Sequence, residues 1–347
     1  MKDRVTIYTI AEKLNISATT VYRALNNKPR ISEETKKKIL QLAEELGFKP
    51  NALAKTLNRK SIRIAFYDAS GFSDFNRHII RGVEEMEKEL HDYRVNVDYY
   101  NFIHKNRFRS ANNIEDHRKI LDQISSLDYN GIIMHGFEDE IAYKQLEEKN
   151  IPIALVVNDL KCVKRKFCVQ YDSYTAGCMA AELLFWNVGK GGKVALASGF
   201  DDIQVHKQIV KGFLEYAKFL SLDVVTVLYN KDDNDIAFEH TNKLFKEHPD
   251  LKGIYVNSFT SSGVIRSVIK NGMTKQVHLI TTDINNEIRE CLENGIVSAS
   301  IFQDQYRQGR YGLRYLYDYI TSHQKIDDVT YIYPQIILRS NMALYND

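Results

Sequence analysis

The chain has 347 residues, 44% of them hydrophobic and 27% charged, with a formal net charge of +2. That length suits two or three domains of ordinary globular composition. No stretch is apolar for long enough to span a bilayer and no N-terminal run reads as an export signal, so the expected location is cytoplasmic, with no membrane partner.

The small net charge hides an asymmetry. Residues 1–60 hold 13 Lys and Arg against 6 Asp and Glu, a balance of +7, whereas the remainder holds 34 against 39, a balance of −5. A basic head on a mildly acidic body points to a polyanion as the partner of the head. In that head Ile7, Ile10, Ala11 and Leu14 fall at i, i+3, i+4 and i+7, with Thr6 as a cap, and predict a first helix over 7–14. Asn15 and Ile16 make a tight turn into the second helix, "ISATTVYRALN" at 16–26, which Ser17 caps. Val21, Ala24 and Leu25 form its buried edge. Ala18, Thr19, Tyr22, Arg23 and Asn26 lie on the other face. Ser32 caps a third helix with an apolar face of Ile39, Leu42, Ala43 and Leu46, and Gly47 ends it.

Three short helices with a tight first turn make a helix-turn-helix, whose second helix enters the major groove. Ala18 and Thr19 are small enough for close approach and offer methyl groups to thymine. Arg23 has the fork that matches guanine O6 and N7. Tyr22 and Asn26 are placed for phosphates, which fix register. A three-helix module that binds protein is the alternative. The next segment, "GFKPNALAKTLNRKS", stops at Pro50 and restarts at Asn51. It is too short to be a stable helix alone and needs a surface to fold on.

The stretch from "TIYTIAEKLNISATTVYRALN" through "GFKPNALAKTL" resembles the DNA-binding head and hinge of the lactose-repressor/galactose-repressor (LacI/GalR) family. The resemblance implies that Ala18, Thr19 and Arg23 read bases and that Leu57 is the hinge leucine that enters the minor groove. Thr6, Ser17, Tyr22, Asn26, Asn51 and Ala54 complete the candidate DNA-facing set. The implied DNA partner is an operator duplex.

After residue 60, β-rich runs ("IRIAFYD", "VNVDYYNF", "GIIMHGF", "IPIALVV", "KVALASG", "VVTVLY", "GIYVNS", "HLITTD") alternate with helical stretches such as "RHIIRGVEEMEKEL" and "TAGCMAAELLFWNV". This spacing means βαβ units and parallel sheets. Some 285 residues exceed one such sheet, so two lobes are expected, with the ligand site at strand ends near their junction. The motifs "VQYDSYTAG", "YVNSFTSSG", "SIFQDQYRQG" and "YPQIILR" resemble the periplasmic-binding-protein-like sensor of the same family.

The expected class is therefore α plus α/β: a helix-turn-helix head at 1–48, a hinge helix and linker at 49–60, and a two-lobed sensor at 61–347. Lobe one is placed at 61–168 plus 304–330, and lobe two at 169–303 plus 331–347. The resemblance implies that Asn257 and Asp283 bind effector hydroxyls, which suits a sugar. Where the family has a ligand-binding arginine this chain has Ile209, so His206, Lys207 or Gln208 stands in for it. Gln305 occupies an aromatic position of the pocket. Phe72, Asp74 and Phe75, in "SGFSDFN", end the first strand with rings that can stack on a sugar. These departures leave a non-sugar effector open, such as a nucleobase or a phosphorylated metabolite.

Other chemistry finds little footing. "GKGGK" at 189–193 lacks the phosphate-loop spacing and reads as a helix-to-strand turn. Cys162, Cys168, Cys178 and Cys291 contain no CxxC pair, so thiols are expected and neither a metal nor a cofactor is called. No catalytic constellation emerges. A sugar-binding module or an enzyme without a regulatory role remains the rival to a transcriptional repressor of carbohydrate-utilisation genes. The resemblance also implies a homodimer, and no leucine heptad follows "YPQIILR" to make a tetramer.

Overall fold

The computed structural model describes residues 5–25, 29, 31–46, 48, 60–69, 73–101, 111–322 and 324–345. Residues 1–61, with a short stretch at 90–95, and the remainder of the chain form two separate compact units.

The head is built from α1 (Ile7–Leu14), α2 (Ala18–Leu25) and α3 (Glu33–Glu45). Side chains close each helix start. The Thr6 hydroxyl accepts the Thr9 N–H at 3.3 Å while the Thr9 hydroxyl accepts the Thr6 N–H at 3.1 Å, a reciprocal capping box. Ser17 accepts from the Thr20 N–H at 3.1 Å, and Ser32 from the Thr35 N–H at 3.2 Å. Asn15, at φ 53°, takes the left-handed conformation that turns the chain from α1 into α2. Eight-residue helices do not persist alone; here one fully buried side chain from each helix, Ile10, Val21 and Ile39, meets in a common core with Ala11, Ala24 and Ala43. Gly47 and the hinge segment 49–59, with Asn51, Ala54 and Leu57, lie outside the described residues, as does Asn26.

The body contains two six-stranded sheets. The first has the order β11-β5-β4-β3-β1-β2, built from β1 (Ile62–Asp68), β2 (Val95–Asn101), β3 (Gly131–His135), β4 (Ile153–Val156), β5 (Phe167–Tyr171) and β11 (Val329–Ile332). The second has the order β12-β10-β9-β8-β6-β7, from β6 (Lys193–Ser198), β7 (Asp223–Tyr229), β8 (Gly253–Val256), β9 (His278–Thr282), β10 (Ala299–Phe302) and β12 (Gln335–Ile337). The described pairings are parallel except β10 with β12, which is antiparallel. Each sheet reverses strand order beside its first strand, the doubly wound arrangement that opens a crevice at the carboxyl ends of the strands. The central strands β3, β4 and β8 are buried along their whole length, as continuous apolar runs covered on both faces should be.

The chain crosses between sheets three times, and two crossings fall later than expected. β5 pairs in the first sheet through Val169 and so runs past the 168/169 boundary to Tyr171; β11 runs past 330 to Ile332. The expected boundaries cut both strands because Tyr171 and Ile332 pair with each other in the parallel β5–β11 ladder, a partnership with no local sequence mark. Arg165 secures this edge: it donates to Asp159 after β4 and, at 2.7 Å, to Asp328 before β11.

The helices of the body are α4 (Ser73–Leu90), α5 (Ala111–Ser126), α6 (Glu140–Glu148), α7 (Ser173–Val188), α8 (Gln204–Phe219), α9 (Asn234–Glu247), α10 (Ser261–Lys270), α11 (Asn286–Glu293) and α12 (Gln305–Ser322). α7 and α8 meet at two glycines. A Cβ on Gly177 would stand 2.1 Å from the Ile209 carbonyl oxygen, and one on Gly212 2.1 Å from that of Tyr174. This contact fixes α8, whose first turn reaches the cleft. Gly189 and Gly191, both at positive φ, make "GKGGK" the turn from α7 into β6. No described helix is long and apolar enough to cross a membrane.

Candidate functional site

On the head, α2 presents an exposed Thr19, a Tyr22 ring that is 44% exposed, and a half-buried Arg23. Ala18 packs partly against the head core and leaves its remaining surface beside Thr19. The hydroxyl oxygens of Thr6 and Ser17 each accept a capping N–H, which sets where α1 and α2 begin.

In the body, the carboxyl ends of both sheets open on one cleft of about 920 Å³. From the first sheet come His135 at the end of β3, and Val157 and Asn158 after β4. From the second come Asn257 to Phe259 after β8, Asp283 after β9, and Gln303 after β10. Phe75 and Phe259 meet across the cleft edge to face, with centroids 5.9 Å apart, and Phe75 also packs on His135 at 6.0 Å.

Strained turns aim the side chains after the two strands. Val157 has φ 73°, uncommon for a β-branched residue, and the Asn158 N–H donates back to the Val156 carbonyl at 2.9 Å. This tight turn, closed from i+2 to i, brings the Asn158 amide to His135, with Nδ2 and Nε2 3.2 Å apart. Asp283, at φ 62°, makes the equivalent bend after β9. Its Oδ1 accepts the Gln303 N–H at 3.0 Å. Its Oδ2 accepts from the Gln303 amide at 3.0 Å and the Gln305 amide at 2.6 Å. Enclosure in the cleft pushes the Asp283 carboxyl up to about 7, with those donors pulling the other way.

Asn257 is the most telling residue. It is 3% exposed, its N–H donates to Ala197 at 3.0 Å, and neither atom of its side-chain amide has a partner. A buried amide without a protein partner is a costly group to desolvate, and a ligand that pairs with it recovers that cost. Gln305, 2% exposed at the start of α12, likewise keeps Oε1 unpartnered while its amide nitrogen serves Asp283. His206 lies in the first turn of α8, and burial holds its ring neutral, with the pKa pulled down to about 4. Its Nδ1 faces the Phe200 backbone, 3.0 Å from the N–H and 3.3 Å from the carbonyl oxygen.

The structure thus brings together Phe75, His206, Asn257, Asp283 and Gln305 of the expected ligand set. It does not bring Lys207, which is exposed and does not line the cleft; one residue along a helix turns a side chain by about 100°, so Lys207 falls off the face that His206 shares with buried Ile209. Phe72 lies outside the described residues, and so does the side chain of Asp74. Sequence reasoning missed His135, Asn158, Phe259 and Gln303. The strand-end rule, applied to every β run, would have found them: "GIIMHGF", "IALVVND", "YVNSFT" and "SIFQD" each place a polar or aromatic residue at or just past a strand end. Among the described residues, no group of three His, Cys, Asp or Glu is placed to hold a metal ion.

Comparison with known proteins agrees with this construction. Residues 65–325 match the periplasmic binding protein domain family, and residues 6–51 match the bacterial regulatory proteins of the lacI family. The chain is 37% identical over 164 residues to the probable HTH-type transcriptional repressor ExuR of Bacillus subtilis, a match that spans 45% of this chain and 44% of that protein. It is 25% identical over 324 residues to catabolite control protein A of Priestia megaterium, spanning 91% and 92%. The HTH-type transcriptional regulator MalR of Streptococcus pneumoniae is 24% identical over 287 residues, spanning 77% of this chain and 80% of that one. Among solved structures, GanP, a glucose-galactose binding protein from Geobacillus stearothermophilus, covers 82% of this chain and 99% of its own at TM-score 0.72 and 21% identity, and so shares the fold. A basic helix-turn-helix head on a two-lobed body with a ligand-sized cleft places the chain in the lacI family of bacterial regulatory proteins, as a DNA-binding transcriptional regulator with a periplasmic-binding-protein domain.

Proposed function

We propose that the chain is a cytoplasmic repressor of carbohydrate-utilisation genes that answers to a sugar or sugar derivative held between the two lobes. The observation that carries this reading is the Asn257 amide, buried and unpartnered at the wall of a cleft of about 920 Å³. Beside it stand Asp283 and Gln305, and the rings of Phe75 and Phe259 supply a face for a pyranose. Solved structures with this fold hold D-fucose and D-allose as bound ligands, and the relatives above are named as regulators. The chain binds its effector and does not turn it over.

In this reading Ala18, Thr19 and Arg23 face base edges, and Tyr22 and Asn26 face phosphates. Asn51, Ala54 and Leu57 form a hinge helix at 49–60 that folds on the operator. A two-fold operator calls for two heads, so the working species is a homodimer. The test is a gel shift with DNA from upstream of the gene, repeated with candidate sugars and with Asp283→Ala. Operator binding by both proteins, and a sugar response in the wild type alone, is the expected result. A sugar consumed during the incubation, or a chain that retards no specific fragment, overturns it.

A further inference from the structure

The polar lining of the cleft has two features that a ligand must meet. The first is charge. Glu138, Asp159, Asp202, Asp232, Asp283 and Glu287 line it, against one guanidinium, Arg77, and no lysine among the described residues. Arg165 offsets Asp159, and His206 is neutral, so the remaining balance is still acidic. The second is hydrogen-bond sense. Of the buried atoms of Asn158, Asn257, Gln305 and His135 there that lack a hydrogen-bond partner, Asn158 Oδ1, Asn257 Oδ1 and Gln305 Oε1 accept, and Asn257 Nδ2 and His135 Nδ1 donate. Gln305 keeps this sense while Asp283 is ionised, because its nitrogen donates to that carboxylate.

A polyol can meet these atoms with its hydroxyls, and the acidic lining adds a preference for a positively charged donor among them. Each hydroxyl of a plain sugar brings one proton and two lone pairs, and its ring oxygen only accepts. A protonated amine brings three protons, no lone pair and a positive charge. We propose that the effector is an amine-bearing polyol, a protonated amino sugar, and that sugar phosphates and sugar acids are shut out. Their anionic groups would enter a cleft that already holds like charge, and Ile209, fully buried, offers no cation to receive them. The assignment rests on the cleft being the effector site.

The test is calorimetric titration of the full chain with matched gluco, galacto and manno series, each comprising the hexosamine, the neutral hexose and the hexose 6-phosphate. In at least one series the hexosamine should bind at least tenfold tighter than its neutral hexose, with no binding of the 6-phosphate. Asp202→Asn, at an exposed loop position where folding is not at stake, should narrow that ratio by about fivefold, the worth of one solvated charge pair at 4 Å. A neutral hexose that binds as tightly, a bound 6-phosphate, or a ratio unmoved by Asp202→Asn overturns the amine assignment and leaves the cleft reading standing. Silence of every sugar in all three series overturns the cleft reading along with it.

Discussion

Asn257→Ala should make the unliganded protein more stable and the liganded one weaker. The wild-type amide is 3% exposed and has no protein partner, so the unliganded fold bears the cost of desolvating a polar group, about 1–3 kcal/mol. Truncation to alanine removes that cost. The cavity penalty that normally accompanies truncation is small here, because the side chain borders an open cleft and not a sealed core. A net gain of about 1 kcal/mol corresponds to a rise of about 2–4 °C in Tm for a domain of this size. Effector binding loses two hydrogen bonds at about 1 kcal/mol each, or about thirtyfold in Kd. Scanning calorimetry of the empty protein and titration of the effector read the two signs separately. A variant whose Tm falls by several degrees would show that the amide is already paired in the empty protein, and the argument that it awaits a ligand would fail.

Arg23→Ala should cost about 1–3 kcal/mol of discrimination between operator and random DNA; an equal loss on both would make it a phosphate contact. Leu57→Ala keeps helix propensity but removes the proposed wedge, so operator affinity and bend angle should both fall while salt-sensitive nonspecific binding persists, and an unchanged bend with unchanged affinity would refute the wedge. The Asp283 carboxyl, at about 7 in the fold against an ordinary 3.8, binds its proton more tightly folded than unfolded. Its contribution to stability is therefore complete below about pH 4 and lost as pH rises through 7, by at most about 1.4 kcal/mol per pH unit; Asp283→Asn should flatten that slope in denaturant melts at pH 5 and pH 8. Light scattering at micromolar concentration should give a dimer, and a tetramer would contradict the assembly proposed.

Much of the fold was legible because its signals are local. Thr6, Ser17 and Ser32 cap helices through bonds to residues three along, and those spacings stand in the sequence. The alternation of short apolar runs with helices gave two parallel sheets for the same reason. What escaped was set by distance along the chain. β5 was cut at 168 because its edge partner is β11, and nothing near Cys168 announces Val329. Asn257 and Asp283 entered through a family resemblance, and their surroundings did not. That Gln303 and Gln305 would both turn onto Asp283 depends on β9 lying beside β10. Lys207 stands as near Ile209 in the sequence as His206 does, but the phase of α8 favours His206.

The pairing of β5 with β11 also bears on how the chain is made. Synthesis delivers five of the six strands of that sheet by residue 171, yet the strand that covers β5 is not translated until after residue 328. Throughout the intervening stretch the nascent first lobe carries an open strand edge, the feature that recruits wrong partners. Arg165 and Asp328, the pair that fastens the late strand, are likewise separated until β11 is made. Ribosome-bound chains stalled before β11 should therefore be the aggregation-prone species of this protein, and emergence of β11 the event that closes the lobe.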